Sequence, residues 1–111
     1  MNEENRFLRV LVLASAQFEI EEIADLYCSL SGKASAKQIT EKIYAALEQL
    51  SCFPFSGPAM RDTELRAQGY RYLVVEKYLI LYRVIDSTVT VYHIFDGRSD
   101  YPKLLKSGMF R

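Results

Sequence analysis

The chain has 111 residues, a common size for one domain, so we expect a single domain spanning residues 1–111. Half of the residues are hydrophobic and a quarter are charged, which excludes an intrinsically disordered chain. The 14 basic and 14 acidic side chains give a net charge of zero. This balance argues against a protein that holds nucleic acid mainly through its phosphates.

The first half of the chain predicts one strand and two helices. Residues 7–14 are rich in Leu and Val and precede Ser15, which stands where a residue would cap a following helix. Residues 16–30 then have a helical period, and a second apolar stripe runs from Ala36 to Leu50. Because the connection between them is short, the two helices should form an antiparallel hairpin.

The second half predicts strands. Pro and Gly residues interrupt the helical pattern, so residues 54–69 are expected to form a loop with a turn at 63–67. Three runs rich in β-branched and aromatic residues follow at 70–76, 78–85 and 88–95, and a short helix is predicted over Tyr101–Lys106. The order β-α-α-β-β-β-α predicts a two-layer α+β fold, with the helix hairpin on one face of a mainly antiparallel sheet.

Strand alternation assigns the side chains of the middle strand to two faces. If Ile80, Tyr82 and Val84 face the helices, then Leu79, Leu81 and Arg83 face the open side. An apolar open face suits a protein partner better than RNA.

The remaining candidate chemistry is sparse. Cys28 and Cys52 lie in predicted helices away from other ligand-type residues, so we expect reduced thiols, no metal site and no cofactor. His93 alternates with apolar strand residues and is interpreted as a sheet residue satisfied by a neighbour. Because Arg9 interrupts the N-terminal apolar run, we do not expect a secretion signal. We expect a cytoplasmic location. No apolar run has the length of a membrane helix.

A family resemblance rests on a series of segments in order. These are Pro54-Phe55-Ser56-Gly57, Glu64-Leu65-Arg66, Gly69-Tyr70-Arg71, the strand Tyr78 to Val84, and Gly97-Arg98-Ser99-Asp100-Tyr101. The series resembles the RelE/ParE superfamily of type II toxins. The resemblance implies a small bacterial toxin that a cognate antitoxin binds and neutralises, in a toxin-antitoxin hetero-oligomer and away from membranes.

The superfamily includes two activities. RelE-like members are ribosome-dependent mRNA endoribonucleases, and this resemblance would make Arg71, Arg83, Arg98 and Tyr101 the candidate catalytic residues. However, Leu79 stands where the RelE-like pattern has an arginine. ParE-like members inhibit DNA gyrase, and this branch is the favoured interpretation. In it Leu79, Leu81, Arg83 and Arg98 would bind a partner. A degenerate toxin that retains only antitoxin binding is a further alternative.

Overall fold

The structure is a computed structural model that describes residues 7–106, so both ends of the predicted domain lie outside the described residues. The elements follow the predicted order, and the expected turn at 63–67 is a short helix. They are β1 (Arg9–Val12), α1 (Ala14–Ser31), α2 (Lys33–Cys52), α3 (Thr63–Ala67), β2 (Arg71–Val75), β3 (Tyr78–Ile85), β4 (Thr88–Asp96) and α4 (Tyr101–Lys106).

The four strands form one sheet in the order β1-β4-β3-β2. β2 pairs antiparallel with β3, and β3 pairs antiparallel with β4. β1 lies parallel to β4, with Arg9 beside Thr88 and Val12 beside Val91. The prediction of a mainly antiparallel sheet extended by the N-terminal strand is confirmed.

The helix hairpin covers one face of this sheet. Gly32, with a φ of +91°, joins α1 directly to α2 in a conformation that favours glycine. Ile43 and Leu50 on α2 are fully buried in one core cluster with Tyr82 and Val91 of the sheet. Ser15 does not cap α1, because Leu13 occupies that position; the Ser15 hydroxyl instead donates a hydrogen bond to the carbonyl oxygen of Tyr92 at 2.7 Å.

The predicted alternation along β3 is confirmed, but the second face of the sheet is not open. Ile80 and Tyr82 belong to the core beneath the helix hairpin, whereas Leu81 belongs to a separate cluster on the opposite face. Met60 and Leu65 cover Leu81, which is 1% exposed. Leu79 is 8% exposed. The expectation that both leucines lie on an open surface is therefore wrong. Leu81 is buried because α3 and the segment before it fold over it.

Candidate functional site

A cleft of about 550 Å³ lies on the second face of the sheet. Its walls come from α3, the middle of β3 and β4, the start of α1 and the end of α4. The lining residues are Leu13, Ser15, Glu64, Leu65, Gln68, Tyr70, Leu81, Tyr92, His93 and Leu105. The volume is within the range typical of ligand sites in proteins. This cleft is the candidate functional site.

A β-bulge in β4 places two large polar side chains beside each other in the cleft. Leu81 pairs with His93, but the next residue of β3, Tyr82, pairs with Val91, so Tyr92 is the extra residue. A bulge disrupts the strict alternation of side chains, and both Tyr92 and His93 line the cleft. Regular alternation along a strand predicts that Tyr92 and His93 lie on opposite faces of the sheet.

His93 is held by a carboxylate from α1. Its Nδ1 lies 3.2 Å from Oε2 of Glu19, and Oε1 of the same carboxylate accepts a hydrogen bond from the backbone N–H of Ile94 at 2.8 Å. His93 is 5% exposed. The prediction of a histidine satisfied by a neighbour is confirmed, and the neighbour also ties α1 to the edge of β4.

Arg83 lies at the border of the cleft between two aromatic rings. The centre of its guanidinium is 4.7 Å from the ring centroid of Tyr70 and 5.1 Å from that of Tyr92. Its Nε and Nη2 donate to the Tyr92 hydroxyl oxygen at 3.1 and 2.9 Å, and Nη1 donates to the carbonyl oxygen of Gln68 at 3.2 Å. The acceptors are neutral, and within the described part of the chain no carboxylate forms an ion pair with Arg83.

Arg71 lies on the other side of the sheet. It pairs with Tyr82 across β2 and β3 and so leaves the sheet on the helix side. Its Nε donates to the Gly57 carbonyl oxygen at 2.8 Å, its Nη2 donates to that of Phe55 at 3.3 Å, and it stacks on the Phe55 ring. A side chain at Gly57 would collide with the Tyr72 carbonyl. Arg71 therefore fixes the loop before α3, and the structure does not bring it to the cleft.

Arg98 lies beyond the far end of β4. Nε and Nη2 of Arg98 donate to the two carboxylate oxygens of Asp96 at 3.0 and 2.8 Å. These hydrogen bonds hold the pKa of Asp96 well below its usual range. Asp96, which binds Arg98, pairs with Tyr78, whereas Arg83 lies further along β3 and pairs with Thr90. The length of β3 from position 78 to 83, about 17 Å, therefore separates Arg98 from Arg83.

Tyr101 packs against the sheet. Its ring lies 5.2 Å from that of Phe95, with an angle of 30° between the planes. Tyr101 also contacts the apolar cluster around Leu81. The four side chains suggested for catalysis are thus distributed over both faces and both ends of the sheet, and only Arg83 borders the cleft.

The described residues form neither a metal-binding cluster nor a membrane-spanning helix. No group of three His, Cys, Asp or Glu residues among residues 7–106 is arranged to hold a metal ion. Cys28 and Cys52 are exposed thiols. None of the described helices combines the length and apolar character needed to cross a bilayer.

A family model matches most of the chain, including the segments that resemble the RelE/ParE superfamily. The model of the family described as ParE toxin of the type II toxin-antitoxin system parDE matches residues 10–101. The chain belongs to the ParE toxin family. The matched region extends from β1 to the first residue of α4 and so includes the whole sheet and the helix hairpin. Among curated proteins, no sequence is similar enough to match this ParE-family toxin.

Solved structures share the fold of this ParE-family toxin at low sequence identity. The chromosomal ParDE toxin-antitoxin system from P. aeruginosa is 18% identical with a TM-score of 0.69, over 82% of this chain and 97% of that chain. The RelBE2 toxin-antitoxin complex from Mycobacterium tuberculosis is 20% identical with a TM-score of 0.61, over 81% and 98%. A mutant of the E. coli toxin RelE in the free state is 14% identical with a TM-score of 0.63, over 91% and 97%. These likenesses establish the α+β fold.

Sequence reasoning missed most of the cleft. Tyr70, Tyr92 and Gln68 hold Arg83, and Glu19 holds His93, but these contacts join residues that are distant in sequence. The bulge at Tyr92 has no signal such as a glycine in β4. Of the residues at the cleft, sequence analysis named Leu81 and Arg83 as candidate site residues and interpreted His93 as a sheet residue.

Proposed function

We propose that this ParE-family toxin inhibits DNA gyrase by binding it, and that a cognate antitoxin neutralises it in a toxin-antitoxin hetero-oligomer. The proposal places the protein in the cytoplasm, where gyrase acts. The observation that carries it is the dispersal of Arg71, Arg83, Arg98 and Tyr101, which lie on both faces and at both ends of the sheet. RNA cleavage through a 2′-hydroxyl needs a base and fixed cations around one phosphate. Dispersed side chains favour binding over cleavage.

The exposed corner after β4 suits contact with a protein target. The Arg98 side chain is 78% exposed, and its two bonds to Asp96 fix the direction of the guanidinium. An oriented arginine at a surface is a common contact in protein interfaces. We therefore retain Arg98 as the candidate contact with gyrase.

The alternative activity, ribosome-dependent mRNA cleavage, has one observation in its favour. His93 lines the cleft and Arg83 lies at its border, so one cation and one potential base are found at the same cleft. However, the residues of β3 that precede Arg83 on this face, Leu79 and Leu81, are apolar and buried. Among the described residues, the lining of the cleft therefore supplies none of the further cations that a pentavalent phosphate requires.

Two assays with the purified full chain test the proposal. We expect inhibition in a gyrase supercoiling assay, because the toxin binds the enzyme, and no codon-dependent mRNA cleavage in a translating extract. Robust cleavage without gyrase inhibition would support the RelE-like alternative. Inactivity in both assays would contradict the proposal and favour a degenerate toxin.

A pair of variants sharpens the gyrase assay. Arg98→Ala removes the oriented guanidinium and should weaken inhibition by about tenfold, a typical loss for one charged interface contact. Lys103→Ala removes an exposed positive charge from α4 and is the matched control. Equal inhibition by the two variants would exclude Arg98 as a gyrase contact.

A further inference from the structure

The cleft beside Arg83 has the chemistry to bind an acidic segment of a protein. We propose that the cleft accepts a segment of the antitoxin in which a carboxylate pairs with Arg83 and a neighbouring apolar side chain enters the cleft. The inference rests on the proposed function in one respect, namely that the partner is an antitoxin. The type of segment follows from the cleft itself.

The charge of Arg83 is not compensated within the described part of the chain. Lys42, Lys77 and Arg98 each lie within 4.0 Å of a carboxylate oxygen. Among the described residues, the polar and ring contacts of the Arg83 guanidinium are with a hydroxyl, a carbonyl and two tyrosine rings. A guanidinium that binds neutral acceptors keeps its full positive charge for an anionic group of a partner.

Arg83 is also held in place before any partner arrives. The rings of Tyr70 and Tyr92 meet edge to face with centroids 5.2 Å apart, and the guanidinium contacts both. Three hydrogen bonds to Tyr92 and Gln68 fix its orientation further. Binding of a partner therefore costs little additional side-chain entropy at Arg83, and this raises the affinity.

The walls of the cleft indicate what accompanies the carboxylate. The half-buried side chains of Leu13 and Leu105 provide apolar surface, whereas Leu65 and Leu81 also line the cleft but are themselves buried, and the volume of about 550 Å³ has room for a large side chain. An apolar residue next to an acidic one fits this combination.

RNA fits the same surface less well. No lysine or arginine is among the described residues that line the cleft, and Arg83 is the cation that the described structure places at its border. A nucleic acid strand presents a phosphate at every nucleotide and needs several cations along its path. One cation beside a cleft with both polar and apolar walls favours a peptide.

Peptide selection tests the inference without the antitoxin or gyrase. A phage library of short random peptides is selected on the immobilised full chain, and the enriched peptides are measured against variants by fluorescence anisotropy. We expect enriched sequences with Asp or Glu beside Leu, Ile or Phe. We expect Arg83→Gln to weaken their binding by about tenfold or more, as loss of a charge-assisted hydrogen bond does. Arg61→Gln, which removes the same charge from an exposed position, is the matched control.

A second variant separates recognition from folding. Arg83→Lys keeps the charge but loses the planar stacking, so it should retain the preference for acidic over amide-substituted peptides, whereas Arg83→Gln should lose it. Equal binding to wild type and Arg83→Gln, or no acidic residue among the enriched peptides, would overturn the inference. So would Arg83-dependent binding of a labelled uridine oligonucleotide. Because the selection contains no gyrase, its failure leaves the supercoiling result unaffected, and the reverse also holds.

Discussion

At the scale of single residues, Leu81 shows how the second face of the sheet differs from its sequence pattern. It is 1% exposed because Met60 and Leu65 pack over it. Leu81→Ala should therefore lower the free energy of unfolding by about 2–5 kcal/mol, as removal of a buried leucine side chain does. Urea denaturation followed by circular dichroism measures this loss.

The matched control for Leu81 is Val74, which is 58% exposed on β2. Val74 pairs with Leu79, so it lies on the same face of the sheet as Leu81. Val74→Ala should change the free energy of unfolding by about 0.5 kcal/mol or less. If both variants lost only that much, the second face would be open in solution, as the strand pattern alone predicts.

At the scale of elements, α1 closes the edge of β4 that β1 leaves unpaired. β1 pairs with β4 only as far as Val91. Beyond that residue, Ser15 bonds the Tyr92 carbonyl and the Glu19 carboxylate accepts the N–H of Ile94. An exposed strand edge invites pairing with other chains, so this contact protects the sheet.

Glu19→Ala tests the role of α1 at this edge. The change leaves the Ile94 N–H and His93 without their carboxylate and should lower the free energy of unfolding by about 1–3 kcal/mol. Amide exchange at Ile94, followed by NMR, should accelerate. Glu22→Ala removes an exposed carboxylate from the same helix and serves as the control. Equal exchange at Ile94 in both variants would show that Glu19 is not the closing contact.

The elements that the sequence predicted well are those with a sustained period. The two hairpin helices and the three antiparallel strands have apolar repeats long enough to set their faces, and their bounds agree closely with the prediction. The predicted bounds of α4 are confirmed, but α3 has five residues and α4 six, so neither is long enough for a helical period that would assign its apolar face. The cover over Leu81 and the cleft beside it therefore could not be predicted, because both depend on where α3 and α4 pack. The bulge at Tyr92 is equally invisible to a strand pattern.

At the scale of the whole molecule, Tyr78 links the helix hairpin to the sheet. Its ionisation makes the free energy of unfolding fall at alkaline pH. It is 4% exposed at the start of β3, beside Tyr27 of α1 and opposite Asp96 of β4. Burial raises the pKa of Tyr78 to about 12, and the hydrogen bond with Tyr27 and the nearby charge of Asp96 act in the same direction. In the unfolded chain the pKa is about 10.

The raised pKa of Tyr78 determines the sign of the pH dependence. Above about pH 10 the unfolded chain loses the Tyr78 proton while the folded chain keeps it, so ionisation favours unfolding. The contribution of Tyr78 is complete below about pH 10 and is lost as the pH rises to about 12. We expect the free energy of unfolding to fall in this interval, with Tyr78 contributing at most about 1.4 kcal/mol per pH unit. Urea denaturation at a series of pH values measures the slope.

Tyr78→Phe is the variant that isolates this contribution. It keeps the ring in the core but has no proton to lose, so its stability should fall less steeply than that of the wild type above about pH 10. Tyr44→Phe, at an exposed tyrosine of α2, should retain the wild-type slope. Tyrosinate absorbance should likewise show one group fewer titrating near pH 12 in Tyr78→Phe than in the wild type. Identical slopes for wild type and Tyr78→Phe would mean that Tyr78 ionises equally in the folded and unfolded chain, and the helix hairpin would then not seal this end of the sheet from water.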